Sequence, residues 1–252
     1  MQRWVIAVLI GWGGWAANVW SAEVLHVGFG SHKPPYIFED ELRGLEYELV
    51  AAAAKAAGFK VEPYYAPISR LYLKFRRHEL DALAMVNQHS NIEGYSSDVY
   101  IQYNNMAVAL AERDLPIRRI ADLARYSVST FQEAQYLLGP EFEEMVRLNE
   151  HYREEPRQIN RNRLLYSGRI DVVVGDPLII DYFNQEIRAQ VDTRQPLRWY
   201  KIFPPTSYQV MFRQAAQRDR FNRGLAVIRA DGTYARVEGY YRNSLKNLTP
   251  QP

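Results

Sequence analysis

The sequence predicts an α/β protein built as two lobes, each a mainly parallel sheet flanked by helices. Three observations predict it. Residues 168–177, Gly-Arg-Ile-Asp-Val-Val-Val-Gly-Asp-Pro, run from a polar lead-in through an unbroken β-branched stretch to Gly-Asp-Pro. A strand buried on both faces reads that way, and its carboxyl end is where an open α/β sheet binds ligands. The first half holds a parallel case, His78-Glu79-Leu80-Asp81-Ala82-Leu83-Ala84-Met85-Val86-Asn87. Strand and helix patterns alternate around both units, which gives parallel strands with right-handed crossovers. Two such units facing each other present Asn87 and Asp176 toward one cleft.

The elements follow in order. Residues 24–29 alternate as a strand, and the run Gly30-Ser31-His32-Lys33-Pro34-Pro35-Tyr36 then breaks both helix and ladder, because proline fixes φ and lacks a donor. Residues 46–57 are alanine-rich and helical, ending at Gly58, which suits a left-handed C′ position. Residues 60–65 read as a strand, 71–77 as a helix and 80–86 as the third strand. Residues 103–111 read as one apolar strand leaving the first lobe. The second lobe begins with a helical turn at 120–123 and a strand at 126–130. Helices at 133–138, 140–148 and 155–167 lead to the Gly168 unit, followed by a short helix at 178–185 and a strand at 199–203. Residues 207–213 read as a return strand. Phe221, Leu225 and Ile228 share one helical face, as do Tyr234, Val237 and Tyr241.

Residues 1–21 read as a removable targeting segment. Arg3 supplies positive charge, residues 4–20 are largely apolar, and Val19-Trp20-Ser21 offers a small-residue cleavage site before Ala22. Gly11-Trp12-Gly13-Gly14-Trp15 interrupts the apolar run, and a retained single-pass anchor is the rival reading. The expected location is the periplasm. Hydrophobic content of 47% and charge of 24% are those of an ordinary globular protein. The formal charge of +2 gives no polyelectrolyte attraction, and the absence of cysteine excludes disulfides, thiol nucleophiles and thiolate metal sites. A monomer binding no nucleic acid is expected.

At this point several motifs converge. Leu25-His26-Val27-Gly28, Pro34-Pro35-Tyr36 and Gly44-Leu45-Glu46-Tyr47-Glu48-Leu49 resemble the opening of the family 3 extracellular solute-binding proteins, the periplasmic receptors of polar amino-acid uptake. Glu79-Leu80-Asp81, Tyr95-Ser96-Ser97-Asp98-Val99-Tyr100, Ala121-Asp122-Leu123, Gly168-Arg169-Ile170-Asp171 and Ala230-Asp231-Gly232-Thr233-Tyr234 continue the resemblance in order. It covers nearly the whole mature chain. Gly44 to Leu49 is also similar to the non-catalytic binding domain of a membrane-bound lytic transglycosylase. The family resemblance implies the two-lobed type II periplasmic-binding-protein fold, with lobe 1 from residues 22–110 and 206–252, lobe 2 from 111–205, and a two-strand hinge. It implies a small-molecule ligand and a partner in the membrane, either an ABC-type permease or a signalling receptor. A further alternative is an enzyme resembling periplasmic cyclohexadienyl dehydratase, with Glu133, Asp176 and His32 recruited for acid–base work.

Departures from the family bear on the ligand. Receptors of this kind carry an arginine for the ligand carboxylate shortly after the third strand. Residues 87–94, Asn-Gln-His-Ser-Asn-Ile-Glu-Gly, contain none, and an ungapped count places Glu93 there. Asp176 matches the acid that binds the amino group, whereas Thr130-Phe131-Gln132-Glu133 replaces the Gly-Thr-Thr turn of lobe 2. The expected guest is therefore cationic or neutral and polar, not a standard α-amino acid held in the usual way.

Each candidate has a second reading. Asp176 either contacts ligand or caps the next helix, since Asp-Pro is a good N-cap and N1 pair. Tyr36 stacks on a ligand or closes its loop. Asn87 and Gln88 orient a ligand or bond within their turn. Phe131 and Gln132 hold the matching place in lobe 2, with Phe131 also suited to core. Arg70, at the start of a helix, replaces the missing cation or sits in solvent. Ser31 follows the first strand, and the 18 tyrosines exceed what a core requires, so binding roles go to those at strand ends, Tyr36 and Tyr103.

Other chemistry has no support. The histidines at 26, 32, 78, 89 and 151 show no metal-ligand spacing, and no cofactor is expected. Gly28-x-Gly30 lacks the third glycine of a dinucleotide fingerprint, and Ser31-His32 lacks the flanking glycines of a nucleophile elbow. Arg157, Arg161, Leu164 and Leu165 read as an ordinary amphipathic helix face.

Overall fold

The computed structural model describes residues 22–39 and 41–246; residues 1–21, expected above to be a targeting segment, lie outside the described residues. The chain begins with β1 (Glu23–Phe29), α1 (Leu45–Ala56), β2 (Phe59–Tyr65), α2 (Ile68–Arg76) and β3 (Ala82–Val86). Two short strands, β4 (Tyr95–Ser96) and β5 (Ile101–Tyr103), lead to β6 (Met106–Leu110). Beyond 3-10 turns at Ala111–Arg113 and Ile120–Arg125 come β7 (Val128–Thr130), α3 (Ala134–Leu137), α4 (Pro140–Arg147), β8 (Tyr152–Glu154) and α5 (Gln158–Tyr166). The rest is β9 (Val172–Gly175), α6 (Pro177–Ile187), β10 (Leu197–Tyr200), β11 (Thr206–Phe212), α7 (Ala215–Ala230) and α8 (Thr233–Lys246).

Two sheets result, each flanked by helices. The first runs β2-β1-β3-β11-β4, with β5 also paired to β11; the second runs β10-β6-β9-β7-β8. Each keeps a parallel block of three strands, β2-β1-β3 and β9-β7-β8, and its remaining strands are antiparallel. Leu25 and Val27, in register with Val61 and Ala82 on the two neighbouring strands, share one face of β1 and are fully buried there. The alanines of α1 let α7 come close: a Cβ on Gly224 would stand 2.1 Å from the Ala53 carbonyl oxygen. That position tolerates only glycine.

Three local readings change. The apolar run at 103–111 is two strands, broken at Asn104-Asn105, and β6 pairs with β9 and β10 in the second sheet. The chain therefore passes from the first sheet to the second between Tyr103 and Met106, before the boundary expected at Leu110. The helix expected from 155 begins at Gln158, because residues 152–154 extend the edge of β7 and the Glu155 N–H reaches the Thr130 carbonyl at 2.9 Å. α6 lies in sequence between two strands of the second sheet, yet Ile179 and Phe183 pack into the core that holds Tyr36 and Phe38. The Phe38 and Tyr182 rings meet edge to face at 5.7 Å. Among the described residues, no helix is long and apolar enough to cross a membrane.

Candidate functional site

The carboxyl ends of β1, β3, β7 and β9 meet where the two lobes face each other. The loop after β1 is stiffened by a turn in which Lys33 and Ile37 exchange backbone hydrogen bonds of 3.1 and 3.2 Å. It closes against Gly44, whose φ of 124° and contact with the Tyr36 carbonyl leave no room for a side chain. Tyr36 is thereby buried, its ring 4.1 Å from that of Tyr103. Beneath this pair, Lys33 (4% exposed) donates to Glu46 Oε2 at 2.6 Å, and the Tyr103 hydroxyl donates to the same oxygen at 2.7 Å. Glu46 is fully buried and its Oε1 has no hydrogen bond among the described residues. Burial lowers the Lys33 pKa despite the Glu46 charge, and burial followed by that charge raises the Tyr103 hydroxyl well above its usual value.

Asp176 directly follows β9 and is 2% exposed. Its Oδ1 accepts from the Leu178 N–H at 3.0 Å, capping α6, while Oδ2 accepts from the Asn104 N–H at 2.9 Å. One carboxylate thus fastens the start of α6 to the crossing between β5 and β6. The Tyr36 hydroxyl faces this carboxylate without completing a hydrogen bond of ordinary geometry. Burial raises the Asp176 pKa against the backbone N–H groups of Asn104 and Leu178.

Asn87, 6% exposed, does two things in its turn. Its Oδ1 accepts from the His89 N–H at 2.9 Å, and its Nδ2 donates to the Leu137 carbonyl at 3.1 Å, a hydrogen bond from the first lobe to the second. A recess of about 370 Å³ lies beside it, lined by His89, Leu137, Leu138, Pro204 and Pro205 among others. A second recess of about 410 Å³ touches Asn104, Asp176, Lys201 and Arg242 at the crossing. A larger groove of about 870 Å³ beside the last turns of α6 belongs to the second lobe alone.

The remaining candidates divide by exposure. Gln88 and Arg70 are exposed, Ser31, Phe131 and Gln132 are half-buried, and Glu93 is exposed. The strand ends bring together Tyr36, Tyr103 and Asp176, and set Asn87 against α3; Arg70 stands apart on α2 with solvent around it. In the second lobe, Glu154 accepts from the backbone N–H groups of Glu133 and Gln135 at 2.7 and 3.1 Å, shaping the loop that carries Phe131 and Gln132. Burial followed by the Glu154 charge raises the Glu133 pKa.

Three charged residues are buried with no mark of it in the sequence. Lys33 reads as a loop charge yet is buried against Glu46; Glu46 itself was visible only as a helix-start acid. Arg161, read as part of an amphipathic face, is fully buried. Helical periodicity could not find it, because its burial comes from the sheet edge packed beneath α5. Among the described residues, no group of His, Cys, Asp and Glu side chains is arranged to hold a metal ion.

Solved structures place this geometry. An ancestral arginine-binding protein bound to arginine superposes with a TM-score of 0.71 at 19% identity, covering 86% of this chain and 97% of the other. A histidine kinase sensor domain with similarity to periplasmic binding proteins gives 0.70 at 22%, covering 86% and 95%. An ancestral amino-acid-binding protein described as a precursor of cyclohexadienyl dehydratase gives 0.67 at 16%, covering 86% and 95%. At these identities the likeness establishes the two-lobed periplasmic-binding-protein fold. No curated protein sequence matches the chain. Residues 25–244, however, match bacterial extracellular solute-binding proteins, family 3, across nearly all of both lobes. With that match and this fold, the chain belongs to the family 3 extracellular solute-binding proteins.

Proposed function

We propose that this family member is a periplasmic receptor that closes around a small polar solute and hands it to an ABC-type membrane permease. The observation that carries this reading is the facing of two sets of strand ends across two chain crossings, with the Asn87–Leu137 hydrogen bond and an adjoining recess of about 370 Å³ between the lobes. A ligand touching both sides favours the closed form only through contacts the open form lacks. Ser31, Gln88, Phe131 and Gln132 are the contacts proposed for the guest, with Tyr36, Tyr103 and Asp176 as the buried frame behind them. Lobe 1 is taken as the segments that build the first sheet and lobe 2 as residues 106–205. Membership in an extracellular family supports export.

A thermal-shift panel of amino acids, polyamines, aromatic acids and peptidoglycan fragments tests the reading. A ligand at 100 times its Kd stabilises by about 2.7 kcal/mol. At least one compound should raise the melting temperature and reduce the radius of gyration in solution scattering. A panel in which nothing does either overturns the proposal. A sensing role is the second reading, supported by the fold shared with a histidine kinase sensor domain. Deletion of the protein that abolishes uptake of the ligand supports transport; deletion that spares uptake and changes a transcriptional response supports sensing.

A further inference from the structure

Arg161, in the second turn of α5, is fully buried, yet no carboxylate forms an ion pair with it among the described residues. Its Nη1 donates to the Val174 carbonyl at 2.6 Å, its Nη2 donates to Gln158 Oε1, and its Nε has no acceptor. A guanidinium carries five N–H donors, and here each terminal nitrogen has a single acceptor while Nε has none. The acid whose charge acts on the group is Glu155, which is itself 3.4 Å from Arg153. Burial pushes the Arg161 pKa down to about 10, which leaves it a cation at neutral pH.

Its place in the fold matters as much as its charge. Val174 and Gly175 end β9, Phe131 follows the end of β7, and these two strands are adjacent and parallel. The guanidinium carbon lies 6.0 Å from the Phe131 ring, and Nη1 occupies the space of the absent side chain at position 175, where a Cβ would stand 2.9 Å away. The group therefore sits across the carboxyl edge of the second sheet, the edge that binds ligands in open α/β sheets. A buried charge without a counter-ion is a large cost to folding, and chains that keep one commonly have a use for it.

We propose that Arg161 is the anion anchor of the cleft, gripping a carboxylate or similar oxyanion of the guest from the second lobe. This rests on the solute-receptor reading above and names its ligand class. It replaces the cationic or neutral guest expected from the sequence, which offers only Arg70, exposed on α2, in place of the missing cation. Both Asp176 oxygens already accept backbone N–H groups, which weakens the case for a guest held chiefly by its ammonium. A planar fork with open donors instead suits a carboxylate held by two hydrogen bonds.

The experiment uses the mature protein with succinate and L-glutamate as anionic probes, succinamide as the uncharged analogue and putrescine as the cation. Thermal shift and calorimetry are read on the wild type, Arg161→Met and Gly175→Ala. The alanine at 175 displaces only the tip of Arg161 and so retains the fold. An anionic probe should stabilise the wild type, whereas succinamide and putrescine should not. Both substitutions should weaken its binding by roughly tenfold or more, and unliganded Arg161→Met should melt no lower than the wild type. Binding confined to succinamide or putrescine overturns the anchor and leaves the receptor reading standing. So does wild-type affinity for the anion in Gly175→Ala, or an unliganded Arg161→Met that melts much lower while binding normally, which would make the arginine a structural strut. No response to any probe in the wild type, together with a silent wider panel, overturns the receptor reading and the anchor together.

Discussion

Replacing Asp176 by alanine separates its two readings, ligand contact and structural clamp. The carboxylate caps α6 through Leu178 and holds Asn104 at the crossing between the sheets. Losing a side-chain N-cap costs about 1 kcal/mol. The Asn104 N–H would lose its acceptor, a loss of roughly 1–3 kcal/mol for a buried donor. Asn104 is exposed as a residue, so water recovers part of this and the low end applies. Removing a carboxylate whose pKa is raised by burial returns some stability. The net expectation is a loss of about 1–2 kcal/mol, or roughly 2–8 °C in Tm for a protein of this size. Thermal unfolding of the unliganded protein measures it directly. Asp176→Asn keeps one acceptor oxygen and should lose about half as much. An alanine variant that melts within a degree of the wild type would refute the clamp and return the carboxylate to ligand binding.

Three further outcomes are expected. Asp181, half-buried on α6, has its pKa raised to about 6 by burial and then by Asp176; because the folded value lies above the unfolded one, ionisation costs the folded state, with no penalty below about pH 4 and the full penalty above about pH 6. Asp181→Asn should therefore add about 1 kcal/mol at pH 7.5, after discounting for solvent screening, and nothing at pH 4; an equal effect at both pH values would contradict the cause given. Asn87→Ala removes the bond to the Leu137 carbonyl and should enlarge the radius of gyration of the unliganded protein for about 1 kcal/mol of stability; an unchanged scattering curve would show that this bond does not restrain the lobes. Glu46→Gln strips the buried Lys33 of its counter-charge and should cost about 3 kcal/mol in urea unfolding at pH 7, recovering as pH rises and Lys33 gives up its proton; an unaltered midpoint would mean the pair contributes no net stability.

The amino-acid sequence by itself determined the alternation of strands and helices, the two similar halves and the strand ends that face the cleft. Those features rest on local quantities: the unbroken Val172-Val173-Val174 run, the alanine-rich α1 and the Asp176-Pro177 cap signal are each visible within a few residues. The tertiary structure alone decided where the chain changes sheets, because Met106–Leu110 reads the same whether it pairs with β5's sheet or with β9. It likewise decided the burial of Lys33 and Arg161. A charged side chain in a loop or on a helix carries no local mark of what lies beneath it; only the assembled sheet edge, with glycine at 175 clearing the space, removes Arg161 from water.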